Sequence, residues 1–142
     1  MMRGNGLRFF LCAALLCGCA APDYQSSPSD KFARVLLVHF ERPHLCVSGK
    51  DFALKTDTSG FVAVPAGNPV HLTGFYGDRG GSCNLVLKFT PQAGQTYEAV
   101  TEASAERCRV TVMVRDPSAR LGLRLEPSAV NAPRFCEKPL VQ

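Results

Sequence analysis

No helical period of useful length runs through this chain beyond its first 18 residues, so neither an all-α nor an α/β fold is expected. Tryptophan is absent, while 12 glycines and 10 prolines favour turns over long helices. The 7 cysteines include no Cys-x-x-Cys, which argues against a thioredoxin-like redox motif and a zinc ribbon. Ser48-Gly49 and Ser59-Gly60 are turn serines outside any nucleophile-elbow pattern. No acidic pair is placed for glycoside chemistry, so a catalytic role is not expected. The longest apolar stretch covers roughly ten to twelve residues, against the ~20 that a spanning helix needs. Charge of neither sign dominates. The net +4 includes Arg3 and Arg8, and the +2 that remains without those two does not suggest nucleic acid binding.

The beginning of the chain is informative. Arg3 and Arg8, the apolar run to Leu16, and small residues after it describe a secretory signal. The exit, Leu16-Cys17-Gly18-Cys19, resembles the signal of bacterial lipoproteins: an aliphatic residue, a small one, a Gly or Ala, then Cys. Cys17 departs from the more usual Ala or Ser but is small enough to fit. The resemblance implies that Cys19 takes a diacylglycerol on sulfur, becomes the N-terminus after cleavage and is then acylated. Two or more acyl chains anchor stably where one does not. Ala20, rather than Asp, follows the Cys, which by analogy implies the outer membrane, facing the periplasm. The expected organisation is a signal over 1–18, a polar tether over 19–32 and one β domain over 33–142.

Four cysteines remain in the domain: Cys46, Cys83, Cys108 and Cys136. An even number in an exported chain predicts disulfides, and four allow three pairings. Short apolar strands alternate with turn signals along the whole domain. Cys83, Leu85, Leu87 and Phe89 share one face; Cys108, Val110, Val112 and Val114 share another; Leu121, Leu123 and Leu125 alternate again. The expected fold is all-β: an antiparallel sandwich or partly open barrel of about eight short strands, braced by disulfides. Reading Pro91–Gln95 and Ala103–Arg107 as successive hairpins puts Cys83 and Cys108 at one end of a three-strand meander. In a flat sheet they would be about 9.6 Å apart, beyond disulfide reach, but a curled strand end would bring them together. Cys83–Cys108 with Cys46–Cys136 is the preferred pairing, and the other two stay open.

The stretch Gly60–Gly67, then Cys83, then Phe89–Tyr97, then Cys108, resembles small proteobacterial lipoproteins of unknown function with PEGA-like β domains. The resemblance covers about half of the chain after the signal. It implies a sandwich-like fold and no known active site.

Candidate contact residues are few. Asp78 and Arg79 sit in Gly77–Ser82, the most flexible-looking loop. Arg109 and Arg115 share the outward face of one strand, within a run of arginines that includes Arg107, Arg120 and Arg124. Guanidinium forks suit phosphate and carboxylate, which lipopolysaccharide and peptidoglycan both carry, though Glu98, Glu102 and Glu106 lie close by. His44 and Cys46, with His39 or His71, have the composition of a zinc set, and a free Cys46 beside His44 would be a nucleophile pair. A histidine beside a structural disulfide is the preferred reading, with no metal and no cofactor. The expectation is a non-enzymatic envelope lipoprotein that binds or scaffolds an envelope protein, peptidoglycan or lipopolysaccharide. The alternatives are an inhibitor of a lysozyme or protease and, third, a periplasmic enzyme.

Overall fold

The computed structural model describes residues 20–26, 30–78, 81–104 and 107–136. Residues 1–18, Cys19, Arg79 and the side chain of Asp78 lie outside them. Among the described residues there is no helix and there are ten strands: β1 (Phe32–Val38), β2 (Glu41–Val47), β3 (Lys50–Ala53), β4 (Phe61–Pro65), β5 (Val70–Asp78), β6 (Gly81–Phe89), β7 (Thr96–Ser104), β8 (Arg107–Arg115), β9 (Leu123–Leu125) and β10 (Val130–Asn131). They form two five-stranded sheets in the orders β4-β1-β7-β8-β9 and β10-β6-β5-β2-β3. The protein is an all-β sandwich braced by two disulfides.

Period-two alternation explains the core. Val35, Val62, Val64, Tyr97, Ala99, Val110, Val112 and Val114 fill it from one sheet, and Leu45, Val70, Leu72, Leu85, Leu87 and Phe89 from the other. Each buried Val, Leu or Phe contributes about 1.5–3 kcal/mol. Phe89 and Tyr97 meet edge to face with centroids 5.3 Å apart, and the Tyr97 hydroxyl accepts a hydrogen bond from the Gln92 N–H at 2.9 Å. That bond satisfies the one polar atom of a side chain with no exposed surface.

Several expectations are corrected. Pro91–Gln95 does not close a hairpin: β6 and β7 lie in different sheets, and the segment carries the chain from one to the other. Gly94 and Gln95 are held there by β1, through Gly94 N–H to Phe32 O and Arg34 N–H to Gln95 O. Arriving this way, β7 pairs with β1 in parallel, while every other named strand pair is antiparallel. Pro43 does not end a strand. It lies inside β2, where the register with β5 shifts between Glu41 and His44, one of the few sheet positions open to proline. Gly77–Ser82 is ladder rather than loop up to the pair Asp78↔Gly81. Leu121 and Leu125 are 79% and 65% exposed: Leu121 lies in the turn before β9 rather than in a strand, and Leu125 lies in β9 itself, an edge strand. The irregular tail contains β10, which pairs with β6.

The polar tether is also not free along its length. Ala53 N–H donates to Pro22 O and Tyr24 N–H donates to Ala53 O, both at 2.9 Å, so Asp23 bridges β3 in parallel. Tyr24 packs edge to face on Phe52 at 5.5 Å, and Lys55 pairs with Asp23. This segment covers an edge that would otherwise present unpaired backbone groups. On the opposite side, Asn131 of β10 acts as a strand substitute. Its side-chain oxygen accepts from Val110 N–H at 2.9 Å and its amide donates to Val110 O at 3.3 Å.

Candidate contact surface at the hairpin-tip end

Strand direction gives the sandwich two distinct ends. β5 and β6 close on each other at Asp78↔Gly81, and β7 and β8 at Ser104↔Arg107. Both closures fall at the same end, because Cys83 near the first is bonded to Cys108 near the second, with Cα atoms 6.2 Å apart. The two residues share no meander. They belong to opposing sheets, and the disulfide staples the sandwich together. The other bridge, Cys46–Cys136, spans 5.1 Å between Cα atoms. Leu45 points into the core, so Cys46 next to it faces away. The C-terminal tail crosses that outer face to reach it, leaving Cys46 only 3% exposed.

The link from β1 to β2, which starts at this end, holds two backbone outliers. The chain passes from β1 to β2 through His39 and Phe40. His39 at φ 61° and Arg42 at φ 47° both adopt the left-handed region, which is uncommon for residues other than glycine. Phe40 packs against the core in a space that only glycine at 74 leaves open. A Cβ on Gly74 would lie 2.5 Å from Phe40 Cδ1. Midway along β5, on the outer face of its sheet, Arg42, Thr73, Gly74, Phe75 and Asn84 line a depression of about 250 Å³. A second depression, of about 280 Å³, is lined by Glu102, Ala103, Ser104, Arg107 and Arg109 beside the β7–β8 closure. Both fall below the ~300–1,000 Å³ usual for small-molecule sites. The end suits contact with a larger surface better than enclosure of a ligand.

The arginines of interest are already engaged. Arg109 contacts Glu102 Oε2 at 2.7 Å and Arg115 contacts Glu98 Oε1 at 3.4 Å. Exposed pairs of this kind contribute at most about 1 kcal/mol, so either carboxylate is exchangeable. Six residues along one strand separate the two arginines by about 20 Å, and they do not form one site. Arg109 belongs to the hairpin-tip end, together with the backbone of Asp78. Arg115 lies towards the other end, 5.9 Å from the Phe61 ring that Arg34 covers at 4.2 Å. Arg34 also contacts Asp57 at 3.3 Å. The N–H groups of Phe61 and Ser59 donate to Asp57, and with Arg34 they hold its carboxyl below the usual carboxylate range. Asp116 is held down likewise, first by the Ser118 hydroxyl and N–H and then by Arg124.

The histidines do not assemble with a thiolate. His44 Nδ1 lies 3.0 Å from Asp51 Oδ1, Cys46 is oxidised, and His39 stacks near Tyr76 with centroids 5.8 Å apart. Among the described residues no three His, Cys, Asp or Glu side chains gather as a metal site. The residues around Arg42 were not legible as a site: Arg42-Pro43 reads as a strand stop, and a left-handed φ at arginine has no sequence signal.

No model of a protein family, no curated protein and no solved structure matches this chain.

Proposed function

We propose that this chain is a lipoprotein of the bacterial cell envelope, anchored through acyl chains on Cys19, whose sandwich serves as a non-enzymatic binding or structural module. The observation that carries this reading is the apolar run closed by Leu16-Cys17-Gly18-Cys19. Both disulfides of the sandwich support an oxidising compartment. Ala20 after the Cys favours the outer membrane, periplasmic side. The partner is an envelope protein, peptidoglycan or lipopolysaccharide, met at the hairpin-tip end. The test is Cys19→Ser: the protein should leave the membrane fraction and lose its acyl mass. Unchanged membrane association would sink the anchor.

The β5–β6 ladder favours one second reading. Paired as far as Asp78↔Gly81, it is a two-stranded ladder of the width that enters an enzyme cleft. Inhibition within a panel of lysozymes and proteases, lost when residues 79–80 are replaced by alanine, would support an inhibitor. No inhibition by the intact protein would remove it.

A further inference from the structure

The docked tether has a geometric consequence that depends on the lipoprotein reading. Pro22 and Tyr24 are fixed to Ala53 by two backbone hydrogen bonds, with Tyr24 on Phe52 and Asp23 on Lys55 added. Only three peptide steps separate Cys19 from Pro22, a reach of at most about 11 Å. The bridge at Asp23 is parallel to β3, so the chain leading back from it runs towards the start of β3 at Lys50. Lys50 pairs with Val47 across the Ser48–Gly49 turn. β2 runs antiparallel to β5, with Cys46 beside His71 and Glu41 beside Phe75. The Ser48–Gly49 turn is therefore at the end opposite the β5–β6 and β7–β8 closures. The nine residues of β5 separate the two ends by roughly 30 Å.

We infer that the lipid on Cys19 sets the sandwich upright, with the Ser48–Gly49 turn and β3 against the bilayer headgroups and the disulfide-tied hairpin tips pointing away from the membrane. The segment expected to be a spacer is instead a mount. It holds the domain close to the membrane and directs the end with the depression beside the β7–β8 closure towards whatever the periplasm presents. The partner of the β3 end is the headgroup layer of the anchoring leaflet itself.

The absence of tryptophan makes the test direct, since any introduced indole is the only one present. Lys50→Trp and Ser104→Trp would be made separately in the full chain, both at exposed positions. Each protein is purified from the membrane fraction and reconstituted in phosphatidylethanolamine/phosphatidylglycerol vesicles carrying a headgroup nitroxide. Mass spectrometry of the N-terminal peptide establishes acylation in the same samples. The expected result is quenching several-fold stronger at position 50 than at 104. Ten Gly/Ser residues inserted between Ala21 and Pro22 should abolish that difference. An acylated protein with equal or reversed quenching overturns the orientation and leaves the anchor intact. A difference that survives the insertion overturns the short mount as its cause. A Cys19 without acyl groups overturns both the anchor and the orientation.

Discussion

Thr101 is buried in β7 at 6% exposure with no hydrogen-bond partner for its hydroxyl, a group whose desolvation costs about 1–3 kcal/mol when unsatisfied. Thr101→Val keeps the shape and removes the stranded oxygen. Its urea midpoint should rise, by the equivalent of about 1 kcal/mol. Tyr97 is the opposite case, since its oxygen is satisfied by Gln92. Tyr97→Phe should lose about 1 kcal/mol. Burial raises the Tyr97 pKa above the ordinary phenol value, so the unfolded chain ionises first as pH climbs. The wild-type contribution is full below the ordinary phenol range and is lost as pH rises through the raised pKa. Tyr97→Phe should flatten that alkaline limb in the same urea series. Asp57 acts with the other sign. Its depressed pKa means the unfolded chain takes up the proton first as pH falls. Its contribution is full above the ordinary carboxylate range and is lost as pH drops through the depressed value. Asp57→Asn keeps acceptors for Ser59 and Phe61 but cannot ionise, so acid unfolding should show a shallower limb, with Asp116 accounting for part of what remains. A limb as steep as wild type would contradict the assignment.

Among the elements, the strands with clean alternation were legible from the residues: β6 and β8 need only Leu85, Leu87, Phe89, Val110, Val112 and Val114 to reveal their inner faces. What alternation cannot encode is the sheet each strand joins. A Pro-x-x-Gly turn such as Pro91–Gln95 reverses or displaces the chain equally well, and the choice rests on distant hydrogen bonds from β1. For that reason the preferred cysteine pairing matches the structure while the geometry offered for it does not: the bridge joins two sheets face to face, not two strands of one sheet. Leu121 and Leu125 carry the same period as the core strands, yet Leu121 falls in a turn and Leu125 in an edge strand that leaves it exposed. Asn131 shows the other limit, because a side chain standing in for a strand partner of Val110 has no pattern in sequence. Of the contact end, Arg109 and Asp78 were named in advance, but Asp78 in a flexible loop rather than in the β5–β6 ladder. The depression at Arg42 was not, since it rests on the irregular register of β2 against β5 and on a left-handed φ at arginine. The staple gives the prediction at this scale. Cys83→Ala with Cys108→Ala opens a loop of 25 residues and should lower stability by about 3–4 kcal/mol on the chain-entropy argument. That is a large share of the ~5–15 kcal/mol typical of a domain. A loss below about 1 kcal/mol would mean the sheets hold together without the bridge.

For the whole molecule, backbone groups are met on both sides of the sandwich: Pro22–Tyr24 lies along β3, and the Asn131 side chain takes up Val110 of β8. With the proposed lipid on Cys19, the three steps from there to Pro22 would leave the hairpin-tip end free for contact. The proposed orientation stands or falls with the lipid on Cys19. The most direct test is mass spectrometry of the protein from the membrane fraction, digested without reduction. The expected result is an N-terminal peptide that begins at a triacylated Cys19, with the other four cysteines recovered as Cys46–Cys136 and Cys83–Cys108 peptides. An unmodified Cys19, or Cys46 recovered as a free thiol beside His44, would contradict it.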